Sequence, residues 1–161
     1  MIAVEQYLKT VYRSDRDYVD GHVIERNWGE QSHGRLQGRI GVWLMDREGS
    51  FPFQTLLEVR VKVRPDRFRV PDITLIPTSA AHDKIVETVP ILCVEILSPK
   101  DRMGRMLDRL EDYFSMGVPT SWIVNPETGE AWIATPGQLT KVMDGILRAG
   151  AIEMPLAEVL E

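Results

Sequence analysis

The sequence predicts an α+β (α/β-like) fold, in which a mixed central β-sheet is flanked by two main helices. Three observations carry this prediction. Residues 31–47 and 103–116 repeat apolar side chains at helical spacing. Residues 91–97 form an almost continuous apolar run, which is typical of a central strand covered on both faces. Residues 121–134 have the pattern of a strand, a turn and a second strand. Helices and strands in this order favour an α+β core.

The N-terminal half begins with a predicted short helix at 4–10, followed by a hairpin. Asp20-Gly21 is the hairpin signal, because the two-residue turns that join antiparallel strands need residues that tolerate positive φ. In the helix that begins near residue 31, Ser32 is placed to cap the first turn. Residues 57–63 alternate strictly between apolar and charged side chains, which predicts one half-exposed antiparallel strand.

The C-terminal half continues with a predicted strand at 69–76, in which Pro71 marks an edge, a bulge or the beginning of the strand. Residues 77–87 are expected to form a loop or a short helix. The helix at 103–116 ends before Gly117. Its inward-facing side chains are expected to be Met106, Leu107, Leu110, Tyr113 and Phe114. Beyond residue 135 the pattern predicts two short strands and a closing helical turn, at 139–143, 151–152 and 155–160.

Length and composition fit a single domain spanning residues 1–161. Hydrophobic residues make up 43% and charged residues 27% of the chain, as in ordinary globular proteins. No apolar run approaches the ~20 residues of a membrane span, so no membrane partner is expected. The N-terminus lacks the pattern of a secretory signal, and we therefore expect a cytoplasmic protein. Cys93 is the single cysteine and is expected to be a buried, unreactive thiol.

The net charge of −5 argues against a large nucleic-acid footprint, because phosphate contacts need clustered lysine and arginine. Local clusters of basic residues nevertheless occur at 60–69 and at 100–109. The second cluster directly follows the apolar run at 91–97. Each cluster is explained either by a basic rim around a nucleic-acid site or by a solvated strand or helix face.

Two acidic residues, Asp72 and Glu95, lie in consecutive segments that are otherwise apolar. Burying an unpaired carboxylate costs on the order of several kcal/mol, so each acid needs a partner. A hard divalent cation such as Mg²⁺ or Mn²⁺ is a natural shared partner for two carboxylates on adjacent strands. The alternative is purely structural pairing, of Asp72 with Arg69 or Arg67 and of Glu95 with Arg109.

Five segments in fixed order resemble the Uma-type family of restriction endonucleases, which belongs to the PD-(D/E)XK nuclease superfamily. These segments are Gly21 to His33, Val70-Pro71-Asp72, Val94 to Pro99, Tyr113 to Val118 and Trp122 to Pro126. The resemblance implies a restriction-endonuclease-like core and hydrolysis of DNA phosphodiester bonds. It also implies Mg²⁺ as the cofactor, with Mn²⁺ as a substitute.

The same resemblance implies roles for individual residues. Asp72 matches the Pro-Asp metal ligand of the family, and Glu95 matches the acid of the following strand. The superfamily places a catalytic lysine two positions after that acid, where this chain has Leu97. In the Uma-type pattern the lysine has moved to the next helix, and here that position is Arg109. With a pKa above ~12, arginine cannot accept a proton, so Lys100 is a reserve candidate for the missing amine.

Glu30 and His33 are further candidates, because the family also shows an acid and a histidine at the start of this helix. Either side chain could supply a third metal ligand or position a water molecule. The alternatives are that Glu30 is merely an acid stabilised by the positive end of the helix dipole and that His33 packs or hydrogen-bonds locally. Gln37, one turn further on, could face the same cleft.

Two functions therefore remain open. The first is an active Mg²⁺-dependent DNA endonuclease, and the second is a catalytically weakened relative that binds nucleic acid or a partner protein. Arg109 is the sequence feature that separates them. A homodimer is also possible, through a free strand edge at 132–134, and two sites related by a two-fold axis would suit a double-strand cut. Trp28 is expected to be partly exposed.

Overall fold

The computed structural model describes residues 1–26, 30–99, 101 and 103–160. Two residues with sequence-based expectations, Trp28 and Lys100, lie outside the described residues. The helices are α1 (Val4–Lys9), α2 (Gln31–Met45) and α3 (Met103–Met116), and a 3₁₀ turn covers Leu156–Glu158. The strands are β1 (Asp17–Val19), β2 (His22–Ile24), β3 (Phe53–Leu57), β4 (Val61–Arg64), β5 (Arg67–Arg69), β6 (Ile73–Pro77), β7 (Leu92–Ile96), β8 (Thr120–Val124), β9 (Ala131–Thr135), β10 (Gln138–Lys141), β11 (Ile146–Ala149) and β12 (Ile152–Pro155).

The main sheet has the order β10-β9-β8-β7-β6-β3. Strands β7 and β8 run parallel, and the other neighbours in the sheet are antiparallel. Helix α2 packs on one face of β7 and helix α3 packs on the other, so all five residues of β7 are buried. The predicted α+β fold with a mixed central sheet between helices is confirmed.

A second, antiparallel sheet has the order β2-β1-β5-β4 and contains the N-terminal hairpin. Its turn places Asp20 at φ 49° and Gly21 at φ 89°, as this hairpin turn requires. Strands β11 and β12 form a separate hairpin. The side chains of Leu147 and Met154 on this hairpin join the core beneath α2. None of the helices in the described part of the chain is long and apolar enough to cross a membrane.

The alternating segment at 57–63 is not one strand, so that prediction is wrong. Strand β3 ends at Leu57, Glu58 has a left-handed φ of 53°, and β4 begins at Val61. Strand β3 is the edge strand of the main sheet, whereas β4 belongs to the second sheet. The alternation of apolar and charged residues continues across this break, because β3 and β4 are both extended and half-buried. The sequence pattern therefore does not reveal that the chain changes sheet.

The segment at 69–76 is also divided, and Pro71 marks the division. Strand β5 ends at Arg69, and β6 begins at Ile73. Proline has no backbone N–H to donate to a neighbouring strand, so Val70 and Pro71 connect the two sheets instead of extending either one. Asp72 consequently lies at the junction between the two sheets.

Three smaller expectations are also wrong. Ser32 does not cap α2, because its hydroxyl donates to Glu127 Oε1 at 2.6 Å and the N-cap position is Glu30. Leu107 is 42% exposed and does not face the core. The edge expected at 132–134 is covered by β10, which pairs with β9 and is itself the outer strand.

Candidate functional site

Asp72 and Glu95 lie opposite each other at the junction between the two sheets. Strands β6 and β7 are antiparallel and pair Ile73 with Val94, so the next pair in the same register is Asp72 and Glu95. Residues directly opposite each other on an antiparallel pair project to the same face. Both side chains are buried, with residue exposures of 2% and 3%. The fold therefore brings the two predicted acids together.

The Asp72 carboxylate is held on both oxygens. Arg26 Nη2 donates to Oδ1 at 2.7 Å, the Ile96 backbone N–H donates to Oδ2 at 2.7 Å, and His33 Nε2 lies 3.5 Å from Oδ2. Gln37 reaches the same residue, donating to its backbone carbonyl at 3.0 Å. Burial acts to raise the pKa of Asp72, but the His33 hydrogen bond and the positive Arg26 outweigh it, and the pKa is lowered. Asp72 is thus a fixed, ionised carboxylate.

The Glu95 carboxylate is held on one oxygen. Arg109 donates from Nε at 3.1 Å and from Nη2 at 2.9 Å, both to Oε1, and the Tyr113 hydroxyl donates to the same atom. Among the described residues, none donates a hydrogen bond to Oε2. Burial raises the pKa of Glu95, Arg109 opposes this, and the nearby Asp72 charge adds to it, so the net direction is upward. Oε2 is therefore the carboxylate atom available to a ligand.

Arg109 is a fixed cation at the centre of this network. Besides Glu95, its guanidinium donates to the Asp17 carboxylate, to the Val70 carbonyl at 2.9 Å and to the Tyr113 hydroxyl at 3.2 Å. Burial acts to lower the pKa of Arg109, but Asp17 and Glu95 raise it well above its usual value. Arg109 therefore remains protonated and cannot serve as a proton acceptor.

A row of alternating charges continues from Arg109 through the second sheet. Asp17 accepts from Arg69 Nη1 at 3.2 Å, and Asp112 accepts from Arg69 Nε at 2.6 Å and from Arg67 Nη1 at 2.9 Å. Arg69 is thus bound to Asp17 and Asp112, and Arg67 is bound to Asp112 and Asp20. The structural alternative that paired Asp72 with either of these arginines is wrong, because Arg26 and His33 hold Asp72 instead.

The two acids open onto a pocket of about 40 Å³ between α2, β7 and α3. It is lined by Arg26, His33, Asp72, Glu95, Ile96, Asp101, Arg105, Met106 and Arg109. One water molecule needs about 10–15 Å³ by this kind of measure, so the pocket has room for a small ion with a few waters. Glu30 is exposed at the start of α2 and does not line the pocket.

The donor chemistry of the pocket suits a hard cation that keeps much of its water shell. Three carboxylates line the pocket, the buried Asp72 and Glu95 and the half-buried Asp101, and His33 lies beside them. Mg²⁺ commonly uses one or two protein carboxylates, with water completing its shell. No group of three or more histidine, cysteine or acidic residues placed to hold a metal occurs in the described part of the chain. Asp72 and Glu95 are therefore the residues that would hold Mg²⁺, with water as the remaining ligand.

Three residues of the network were not anticipated as site members from the sequence. Arg26 was not singled out, because an arginine two positions after a short strand resembles any exposed arginine. Asp17 was missed because its partners lie far along the chain. Tyr113 was assigned to the core, although its position one helical turn after Arg109 is a usable signal, since residues four apart share a helix face.

A solved structure resembles this chain over nearly its whole length. It is described as a "putative nuclease belonging to DUF820" from Anabaena variabilis ATCC 29413, and it aligns with a TM-score of 0.84 and 17% sequence identity. The alignment covers 99% of this chain and 97% of the other. At this identity the likeness shows a shared fold. A search of the curated proteins found no match.

The family comparison extends over most of the sequence. The family model described as "Uma2: Putative restriction endonuclease" matches residues 4–153. That range contains the pocket, the main sheet, the second sheet and the residues that bind Asp72 and Glu95. The chain therefore belongs to the Uma2 family.

Proposed function

We propose that this protein is a Mg²⁺-dependent endonuclease that hydrolyses phosphodiester bonds of DNA. The observation that carries the proposal is the convergence of two buried carboxylates, Asp72 and Glu95, on one small pocket with arginines at its wall. The family description supports the same reaction, because restriction endonucleases act on DNA.

The side chains of the pocket divide into distinct roles. Asp72 is ionised, and Glu95 offers Oε2, so these two would hold the cation. When bound, Mg²⁺ supplies a lowered pKa for a water molecule and positive charge for the phosphoryl oxygens. Arg26 and Arg105 line the same pocket and are suited to bind phosphate oxygens through their planar N–H donors. Arg109 orients Glu95 and contributes fixed positive charge.

The hydrogen bonds of Arg109 favour a second candidate function, a nuclease-fold protein that binds nucleic acid without cutting it. The guanidinium of Arg109 occupies the position where the family pattern has lysine, and it is bound to four different acceptor residues. No lysine lines the pocket among the described residues. A proton acceptor for the attacking water must then come from elsewhere, or hydrolysis does not occur.

Metal binding tests the proposal without requiring the DNA target. Mn²⁺ is titrated by calorimetry into the wild type and into Asp72→Asn and Glu95→Gln variants. Asp112→Asn is the matched control, since Asp112 is also a buried acid paired with arginine but does not line the pocket. Binding by the wild type and the control, with loss in both site variants, is the expected result. Circular dichroism verifies that each variant is folded.

Cleavage then separates the two functions. Supercoiled plasmid, single-stranded DNA and RNA are each incubated with the protein and Mg²⁺, with the Asp72→Asn variant as the blank. Metal-dependent nicking of DNA that the Asp72→Asn variant lacks supports the endonuclease. Metal and DNA binding without cleavage at any ratio of protein to substrate supports the binding scaffold. Failure of the wild type to bind Mn²⁺ contradicts a metal-dependent reaction of the wild-type protein.

A further inference from the structure

We propose that Arg26 is a built-in counter-cation that must leave Asp72 before a metal ion can bind there. The inference rests on the proposed function, because it concerns the same carboxylate. It goes beyond that function by assigning Arg26 a regulatory role. Arg26 is paired with Asp72, and metal affinity is set partly by the cost of displacing that guanidinium.

The geometry places the guanidinium where a cation would bind. Arg26 Nη2 lies 2.7 Å from Asp72 Oδ1; the Asp72 side chain is buried, and the Arg26 side chain is 12% exposed. The other oxygen, Oδ2, already accepts the Ile96 N–H and lies near His33. Both oxygens of Asp72 therefore have a donor, whereas no donor to Glu95 Oε2 occurs in the described part of the chain. A metal ion bound to Asp72 competes first with Arg26, the fully charged partner.

Arg26 cannot release Asp72 by losing its positive charge. A guanidinium stays protonated in proteins, and Arg26 is paired with two carboxylates, those of Asp72 and Glu58. Displacement therefore requires movement of the side chain, not its deprotonation.

An alternative partner for Arg26 is already in place. Arg26 Nη1 lies 3.4 Å from Glu58 Oε1, and the Glu58 side chain is 45% exposed. Glu58 is at the left-handed position between β3 and β4, outside the pocket lining. A small outward rotation keeps the contact with Glu58, releases Asp72, and leaves the guanidinium at the pocket wall, where a phosphate group could be bound.

The test compares Mn²⁺ affinity in two arginine variants of the same pocket. Arg26→Met removes the competitor while keeping a long unbranched side chain. Arg105→Met is the matched control, because Arg105 lines the same pocket, and its hydrogen bond to the Glu25 carbonyl at 3.4 Å does not involve either acid. We expect Arg26→Met to tighten the Kd by about tenfold or more. Arg105→Met should change it by less than about threefold, because Arg105 is exposed and its charge is screened in salt solution.

A third variant keeps the proposal testable if Arg26→Met does not fold. Glu58 is exposed, so Glu58→Gln should leave the fold intact. The substitution removes the negative charge that would hold Arg26 after it leaves Asp72. Metal binding should then be weaker than in the wild type. An unchanged affinity in all folded variants, or equal tightening in Arg26→Met and Arg105→Met, overturns the inference while the metal site stands.

The remaining outcomes distinguish the inference from the proposed function. Binding in Arg26→Met but not in the wild type supports the inference in its strongest form, in which the guanidinium excludes the metal at ordinary concentrations. Absence of binding in the wild type and in Arg26→Met alike overturns both, because Asp72 then has no affinity for metal even when its competitor is removed.

Discussion

Replacing Asp17 with asparagine should destabilise the protein strongly, although Asp17 does not line the pocket. The Asp17 side chain is 2% exposed and accepts from three donors: the Arg109 and Arg69 guanidiniums and the Val70 backbone N–H. Asparagine keeps the shape and one acceptor oxygen but removes the negative charge. Two buried arginines, with side chains 12% and 9% exposed, then share one fewer counter-ion.

The magnitude follows from burial. Removing one partner of a buried ion pair costs about 3–5 kcal/mol. Arg109 keeps Glu95 and Arg69 keeps Asp112, so the lower end, about 3 kcal/mol, is expected for Asp17→Asn. In a chain of this length the loss corresponds to a decrease in Tm of about 6–12 °C. Urea denaturation followed by far-ultraviolet circular dichroism gives the free energy of unfolding, and a thermal melt gives the Tm.

Asp20→Asn is the matched control. Asp20 also bonds two arginines, Arg64 at 3.1 Å and Arg67 at 2.6 Å, but its side chain is 51% exposed. Asparagine tolerates the positive φ of this turn position as well as aspartate does. Exposed ion pairs contribute little, so this variant should be indistinguishable from the wild type. Equal stability losses in Asp17→Asn and Asp20→Asn, or none in either, would refute the argument that burial sets the cost.

Three further predictions use the same network. Burial acts to lower the pKa of His33, but Asp72 outweighs it and the pKa is raised. The stability contributed by protonated His33 beside Asp72 is therefore complete below pH ~6.5 and is lost as pH rises through the folded-state pKa of His33. Urea midpoints at pH 6 and pH 9 should therefore differ more in the wild type than in His33→Gln. Arg109→Lys should lower the free energy of unfolding by about 2–4 kcal/mol, since an ammonium cannot reproduce the planar set of hydrogen bonds; an unchanged urea midpoint contradicts this. Burial raises the pKa of the Cys93 thiol well above its usual value, so Ellman's reagent should react only as fast as the protein unfolds.

Much of the fold could be predicted, because hydrophobic periodicity reports local burial directly. The apolar run became β7, covered on both faces, and the two long amphipathic segments became α2 and α3. The hairpin at Asp20-Gly21 followed from turn chemistry alone. The prediction failed where the chain passes from one sheet to another, at Glu58 and at Pro71. The alternation of apolar and polar residues shows which face of a strand is buried, but it does not show which strand lies beside it. Strand β11 carried too short a pattern to be noticed.

The candidate site could be predicted only in part. Asp72 and Glu95 stood out because an acid in an apolar strand is costly, and the family pattern added Arg109 and His33; the structure brings all four to one pocket. Their catalytic roles remain predictions. Arg26 could not be found in this way, since its contact with Asp72 joins residues 46 positions apart. Pairings of that kind depend on the tertiary fold and leave no local periodicity.

The first basic cluster shows why a count of charges does not identify a nucleic-acid surface. Arg60 donates twice to Asp15 at 2.8 Å, and the remaining basic residues of this cluster also pair with acidic side chains. Lys62 pairs with Glu87, Arg64 with Asp66 and Asp20, Arg67 with Asp112 and Asp20, and Arg69 with Asp112 and Asp17. A phosphate group would have to displace these carboxylates, which opposes binding there. Under the proposed function, the positive charge for a substrate would come from the pocket wall, from Arg105 and, once it leaves Asp72, from Arg26. An acidic protein can in this way bind a polyanion locally, and the affinity should depend on a few arginines of the pocket and not on the net charge of −5.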